Sequence, residues 1–341
     1  MILNLIAYFL IAFSITYLLT PFNIRFSRKH LLIDNPTPRG IHGNPIPLAG
    51  GLSIAIPVII FQFYYYSIRP DDKLFLYLAI GGLATVLLGY LDDKKKFTAN
   101  YKLIFQILIS TALYFFGFRM NLLTNPFGEN IELGLFSFPL TIIWFLLVMN
   151  ALNLIDGLDG LATGISAIVL LVLLSVSILY GNYITAMLSI ILLASCLAFL
   201  RYNFYPAKIF LGDTGSLFIG LNIAAISAAG TGQYKGITTM TLLIPIITLV
   251  IPLSDTIMAI LRRIRTKKNI FEADKKHLHH KMLDLGFSQR TIALTGYFIT
   301  LLFGLIAFGF SFVSQKVFLG ILFLLCMIIF IFVLINKELH K

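Results

Sequence analysis

Charge and cysteine are both scarce in this chain. Of its 341 residues only 12% are charged, and two are cysteine. So little charge cannot solvate the surface of a globular domain of this length. Cys196 and Cys326 both fall inside apolar runs, which leaves neither a disulfide framework nor a zinc knuckle. The first twenty residues lack a charged leader and an A-x-A cleavage site, so Met1 to Thr20 is expected to stay as a span. No internal repeat is visible, and the inverted halves with broken helices that mark secondary transporters are missing. The net charge of +11 could suggest nucleic acid, but in so apolar a chain the placement of charge outweighs its sum, and no nucleic acid is expected as a partner.

What the chain has in excess is hydrophobic sequence. Hydrophobic residues make up 58% of it, mean hydropathy is +0.91, and many runs reach the ~18 apolar residues of a transmembrane helix. The expected fold is all-α, a single polytopic transmembrane bundle over residues 1–341. About eleven spans are expected, near 2–20, 48–66, 74–91, 102–118, 138–155, 161–180, 183–200, 216–231, 239–260, 291–311 and 317–335. The segment 216–231 is rich in Gly, Ala and Ser, a composition for packing between helices rather than against lipid. All but five of the 26 basic residues (Arg69, Lys73, Arg119, Lys235 and Lys316) fall on one set of connections. That asymmetry predicts a cytoplasmic C-terminus and an N-terminus outside. The polar motifs lie on the same basic side, in loops near 21–47, 92–101, 150–160, 201–215 and 262–290. A one-sided polar face of this kind describes an active face that draws a substrate from membrane lipid.

The stretch Asn150-Ala-Leu-Asn153-Leu-Ile-Asp156-Gly-Leu-Asp159-Gly160 sits between two greasy runs. An unpaired charge near the bilayer centre costs roughly 2.5–3.5 kcal/mol on insertion scales. Asn153, Asp156 and Asp159 recur at i, i+3 and i+6, so a helix end would bring them to about one face. Such oxygens suit a hard cation, although turn chemistry alone also yields Asp and Gly at such a seam. Asp92-Asp93 closes an apolar run ahead of three lysines. Adjacent carboxylates repel unless a cation or proton lies between them, which suggests a metal-linked or acid–base role. Lys102, one turn into the next span, is expected to point back and contact phosphate. Asp213, in Phe210-Leu-Gly-Asp213-Thr-Gly-Ser216, stands at a helix mouth, either tethering a metal or capping the helix. Arg39 and His42 in the proline-rich first loop could touch a phosphate. The long last loop carries Arg263 and His277-Leu-His279-His280, an anion clamp in preference to a zinc site. Asp255 is the one carboxylate inside a span, either a helix-packing group or the lip of a cavity.

Taken in order along one face, Asp92-Asp93, Asn150 to Gly160, Phe210 to Ser216 and His277 to His280 resemble the polyprenyl-phosphate N-acetylhexosamine-1-phosphate transferases. The resemblance spans nearly the whole chain. It implies transfer of a sugar 1-phosphate from a UDP-sugar to undecaprenyl phosphate with release of UMP. It also implies Mg2+, or Mn2+ in its place, a bacterial cytoplasmic membrane location and a homodimer. His-Leu-His-His departs from the three consecutive histidines of the lipid I branch and looks like the branch that uses UDP-N-acetylglucosamine. UDP-N-acetylmuramoyl-pentapeptide is the alternative donor, and a non-catalytic transporter or lipid-binding protein the alternative class. By resemblance, Asn153 and Asp213 hold the metal, Asp156 and Asp159 line the uridine end, and Asp92 and Asp93 lie beside the reacting phosphates. Lys102 contacts phosphate, while Arg263 with His277, His279 and His280 clamps the sugar diphosphate. Asp92 carries the general-base role in that family, yet a phosphate monoester with second pKa ~6 is already largely dianionic at neutral pH. Positioning of the metal and Lys102 is therefore the competing role for Asp92.

Overall fold

The computed structural model describes residues 2–35, 44–123, 131–229, 246–265 and 282–309. Ten α-helices occur among them: α1 (Ile2–Lys29), α2 (Gly50–Ile68), α3 (Lys73–Lys95), α4 (Ala99–Phe115), α5 (Ser137–Ile155), α6 (Leu161–Leu179), α7 (Tyr183–Asn203), α8 (Gly212–Ala229), α9 (Val250–Arg265) and α10 (Gln289–Gly309). A short 3-10 helix (Gly134–Phe136) and two short hairpins complete the described elements. β1 (Ile33–Asp34) pairs antiparallel with β2 (Ile46–Pro47), and β3 (Leu122–Leu123) with β4 (Ile131–Glu132).

Seven of the described helices are long and apolar enough to cross a membrane: α1, α2, α3, α5, α6, α7 and α10. The chain is thus an all-α, multi-pass membrane protein. Three further expected spans correspond to α4, α8 and α9, and the expected span at 317–335 lies outside the described residues. Boundaries shift in an instructive way at α1. It runs on to Lys29, nine residues past the expected end, so Arg25, Arg28 and Lys29 ride on a helix and not in a loop. Pro21 lies inside it without ending it. A proline removes one i→i−4 donor, and the neighbouring Thr20 hydroxyl donates to the Thr16 carbonyl at 2.7 Å.

Helix α8 is the centre of the described structure. From Thr214 to Ala229 every residue is buried, with α2, α3, α5, α6 and α7 packed around it. Its Gly, Ala and Ser content makes this possible, because small side chains let neighbouring backbones approach. The polar groups it buries find partners across helices. Gln62 Nε2 donates to Asn222 Oδ1 at 3.1 Å, and the Trp144 indole N–H to Ser227 Oγ at 3.0 Å. At the N-terminal end α2 and α3 both approach closely through glycines, Gly51 and Gly89. A Cβ on Gly89 would lie 2.5 Å from Thr214 Cα, so only glycine permits this contact. Asp93, one turn further along α3, then stands over the first turn of α8.

Candidate active site

Asp92 and Asp93 are on the last turn of α3 rather than in the loop after it, and the two neighbours do different things. Asp93 accepts from the backbone N–H of Asp213 at 2.9 Å, and from the backbone N–H and hydroxyl of Thr214 at 3.1 and 2.6 Å. It therefore caps α8 from another helix, taking orphan donors that a helix start leaves open. Neither Asp213 nor Thr214 is the cap, and this frees the Asp213 side chain for other work. Asp92 is nearly buried. Its Oδ1 accepts the Phe97 N–H at 2.8 Å, while its Oδ2 lies 2.9 Å from Lys102 Nζ.

Lys102 sits on the first turn of α4 and reaches back between two carboxylates. Its ammonium is 2.9 Å from Asp92 Oδ2 and 2.5 Å from Asp213 Oδ2. The other Asp213 oxygen accepts from Asn153 Nδ2 at 2.9 Å, and the same amide nitrogen donates to Ser216 Oγ at 3.0 Å. Asn153 and Asp213 thus meet across α5 and α8, with the amide nitrogen turned to the carboxylate.

The expectation that Asn153, Asp156 and Asp159 share one helix face requires correction. Helix α5 stops at Ile155, and Asp156 to Gly160 form a turn. Gly157 and Gly160 interrupt the helix, Gly160 at φ +75°, a conformation L side chains rarely adopt. The three residues consequently point to different neighbours. Asn153 meets Asp213, Asp156 lies near the Gly212 backbone at the start of α8, and Asp159 Oδ2 accepts from the Ala207 N–H at 2.9 Å. Burial, then the nearby carboxylates of Asp213 and Asp93, hold the Asp156 carboxyl well above the usual range.

Asp159 opens onto a cavity of about 520 Å³ lined also by Arg28, β2, the Tyr205 to Lys208 segment and Gln289. Arg28 and Lys208 bring two cations to its wall. Arg263 is half-buried in the last turn of α9, which packs on α5. Asp255 is buried on the same helix and lines a small apolar pocket of about 50 Å³ with Ile155, Leu161, Met282 and Ile292. His42, His277, His279 and His280 lie outside the described residues, as does Arg39.

The structure adds groups that sequence reasoning left without a role. Asn150 Nδ2 donates to Gln106 Oε1 at 2.8 Å, tying α5 to α4 just below Lys102. Asn203 accepts from the Thr163 hydroxyl at 2.9 Å and donates to the Ile209 carbonyl at 3.0 Å, holding the segment that leads into α8. Asn150 and Ser216 stood inside quoted motifs. Gln106, within an apolar run, carried a signal of its own, since an amide in a span wants a partner.

Among the described residues, no three His, Cys, Asp or Glu side chains converge as a metal-holding group. Mg2+ commonly takes one or two carboxylates and completes its shell with water and substrate phosphates. The donors here are of that kind: hard carboxylate oxygens in negative surplus, with one ammonium already between Asp92 and Asp213. The residues fit a divalent cation that a diphosphate helps to hold.

An α-helical membrane enzyme with a carboxylate–lysine cluster at the N-terminus of its central helix is the class this geometry defines. The chain belongs to glycosyl transferase family 4, whose family model matches residues 75–231, a range that contains Asp92 to Ser216. It is 36% identical over 329 residues to a probable undecaprenyl-phosphate N-acetylglucosaminyl 1-phosphate transferase of Bacillus subtilis (strain 168), covering 96% of this chain and 90% of the relative. A decaprenyl-phosphate N-acetylglucosaminephosphotransferase of Mycobacterium leprae is 32% identical over 326 residues, 88% of this chain and 81% of that one. A phospho-N-acetylmuramoyl-pentapeptide-transferase of Caldicellulosiruptor bescii is 31% identical over 329 residues, covering 90% and 96%.

Proposed function

We propose that this enzyme transfers N-acetylglucosamine 1-phosphate from UDP-N-acetylglucosamine to undecaprenyl phosphate, forming undecaprenyl-diphospho-N-acetylglucosamine and UMP. It works at the inner face of a bacterial cytoplasmic membrane, in a bundle of eleven spans with the N-terminus outside and the C-terminus inside. The observation that carries the reading is Lys102 held between Asp92 and Asp213 at the first turn of α8. The names of the relatives from Bacillus subtilis and Mycobacterium leprae support the N-acetylglucosamine branch, as does His277-Leu-His279-His280.

In the reaction an oxygen of the lipid phosphate attacks the β-phosphorus of the UDP-sugar. The bond from that phosphorus to the bridging oxygen breaks, and UMP leaves with the electron pair. Phosphoryl transfer of this kind asks the protein mainly for positioning and charge neutralisation. Asp213, with the amide oxygen of Asn153, would hold Mg2+ (or Mn2+), which when bound neutralises the diphosphate. Lys102 brings a second positive charge to the same place. Asp92 holds Lys102 by one oxygen and is pinned by the Phe97 N–H through the other, which favours positioning over proton abstraction. Asp93 keeps the first turn of α8 in place. Asp159 and the cavity beside it receive the uridine end, and Asp156 borders that turn. Arg263, His42, His277, His279 and His280 clamp the sugar diphosphate. Two copies form a homodimer in this reading.

The test is direct. Detergent-purified protein with undecaprenyl phosphate, Mg2+ and UDP-N-acetylglucosamine should release UMP. Release only when UDP-N-acetylmuramoyl-pentapeptide replaces that donor would move the enzyme to the lipid I branch, and release with neither would remove the enzyme reading.

A further inference from the structure

We infer that Tyr297, on α10 and outside the matched family region, is a positioning residue for the nucleotide end of the site. Its hydroxyl donates to the Gly160 carbonyl at 2.7 Å, across 137 positions of sequence. That carbonyl also accepts the Gly164 N–H at 2.8 Å, the first helical bond of α6. The tyrosine ring lies against the bare backbone of α6. A Cβ on Gly164 would be 2.1 Å from its Cζ, and one on Gly160 would be 3.1 Å from its hydroxyl and 3.2 Å from Phe204 Cα. The Phe204 and Tyr297 ring centroids are 6.4 Å apart. One side chain therefore touches two of the segments that form the cavity wall, the turn ending at Gly160 and the chain from Phe204 to Lys208.

Geometry and chemistry agree on the role. Side chains of a helix tilt toward its N-terminus. Gln289, the first residue of α10, lines the cavity, so Tyr297 leans back toward it from about two turns away. Asp159 is the residue before Gly160 and hydrogen-bonds Ala207 across the gap. A turn rich in glycine has little stiffness of its own. Fixing the Gly160 carbonyl fixes the direction in which Asp159 is presented. The tyrosine hydroxyl does this from below the cavity, without lining it.

This inference rests on reading the cavity as the site of the nucleotide, and the experiment separates the two. Purified full-length protein is assayed for UMP binding by titration calorimetry and for the KM of each substrate, as wild type, Asp159→Asn, Tyr297→Phe and Gly164→Ala. Tyr297→Phe keeps the ring and should weaken UMP binding and raise the nucleotide-sugar KM about fivefold to tenfold. The KM for polyprenyl phosphate, kcat and thermal midpoint should stay near wild type. Gly164→Ala, which leaves the hydroxyl but displaces the ring, should raise the same KM. Equal losses for both substrates, or a lowered midpoint with unchanged UMP affinity, would mark a merely structural residue and overturn the inference. If Asp159→Asn weakens UMP binding while Tyr297→Phe does not, the inference alone is wrong. If neither does, the nucleotide reading of the cavity falls with it.

Discussion

The last turn of α3 and the turn after α5 both carry a pair of aspartates, and the protein holds them by opposite means. Asp92 and Asp93 stand on a helix, and Lys102, the Phe97 N–H and the first turn of α8 engage all four of their carboxylate oxygens. Asp156 and Asp159 stand on a glycine turn, held from outside by the Ala207 N–H at Asp159 and by Tyr297 at Gly160. A carboxylate on a helix arrives already aimed, so its partners set charge. A carboxylate on such a turn must be aimed by its partners. The first region therefore suits fixed electrostatics and the second suits recognition of a ligand that comes and goes.

The largest effect expected of a single change is at the junction of the two regions. Asp213→Ala removes one of the two carboxylates that hold Lys102 and the proposed anchor of the cation. UMP release should fall on the order of 10³-fold, the scale of losing one electrostatic contact in a dry site. A variant retaining a tenth of wild-type turnover would break the assignment. Asp92→Asn should come next, with a loss of the same factor at pH 6 and at pH 9. A loss that is severe at pH 6 and slight at pH 9 would restore Asp92 as a general base.

Stability should separate the two turns. Asp93→Ala leaves buried donors of α8 without their acceptor and should cost about 1–3 kcal/mol, read by thermal unfolding in detergent. Asp159→Ala should leave unfolding almost unchanged while reducing UMP binding. Equal destabilisation by the two would erase the distinction drawn here.

The smallest effect concerns protons. Because burial and the Asp213 and Asp93 carboxylates raise the Asp156 carboxyl, the folded protein keeps a proton there that the unfolded chain has lost. From the ordinary carboxylate range up to that raised value, rising pH therefore lowers stability. A cation favours the charged form, so Mg2+ added in weak buffer just below the raised value should release protons, and Asp156→Asn should reduce the release. An indicator dye reads both. No difference between wild type and Asp156→Asn would detach Asp156 from the cation.

Much of this was legible in residue order, and the gaps have physical causes. The apolar runs and the small-residue character of 216–231 led to helices, with α8 buried among its neighbours as expected. The expected first span ends at residue 20, yet α1 runs through Pro21 to Lys29, because a single lost donor inside an apolar helix does not outweigh the surrounding turns. The i, i+3, i+6 spacing from Asn153 misled because it assumed that the helix continues past Ile155, and Gly157 and Gly160 stop it. The pairing of Asp93 with α8 spans 120 residues, and the Tyr297 contact 137. A hydrogen bond of that separation leaves no periodic trace in either partner.

Composition and patterning by themselves determined that this chain crosses a membrane as helices, and they predict one polar face for its acidic and basic motifs. Burying backbone in hydrocarbon allows few alternatives to a helix, and lysine and arginine placement breaks the symmetry between the two sides. Which aspartate caps a helix, which one holds a lysine and which one faces a cavity was decided only by tertiary structure. Four chemically identical carboxylates differ in what the packing of α3, α4, α5, α8 and α10 and the segment before α8 sets beside them.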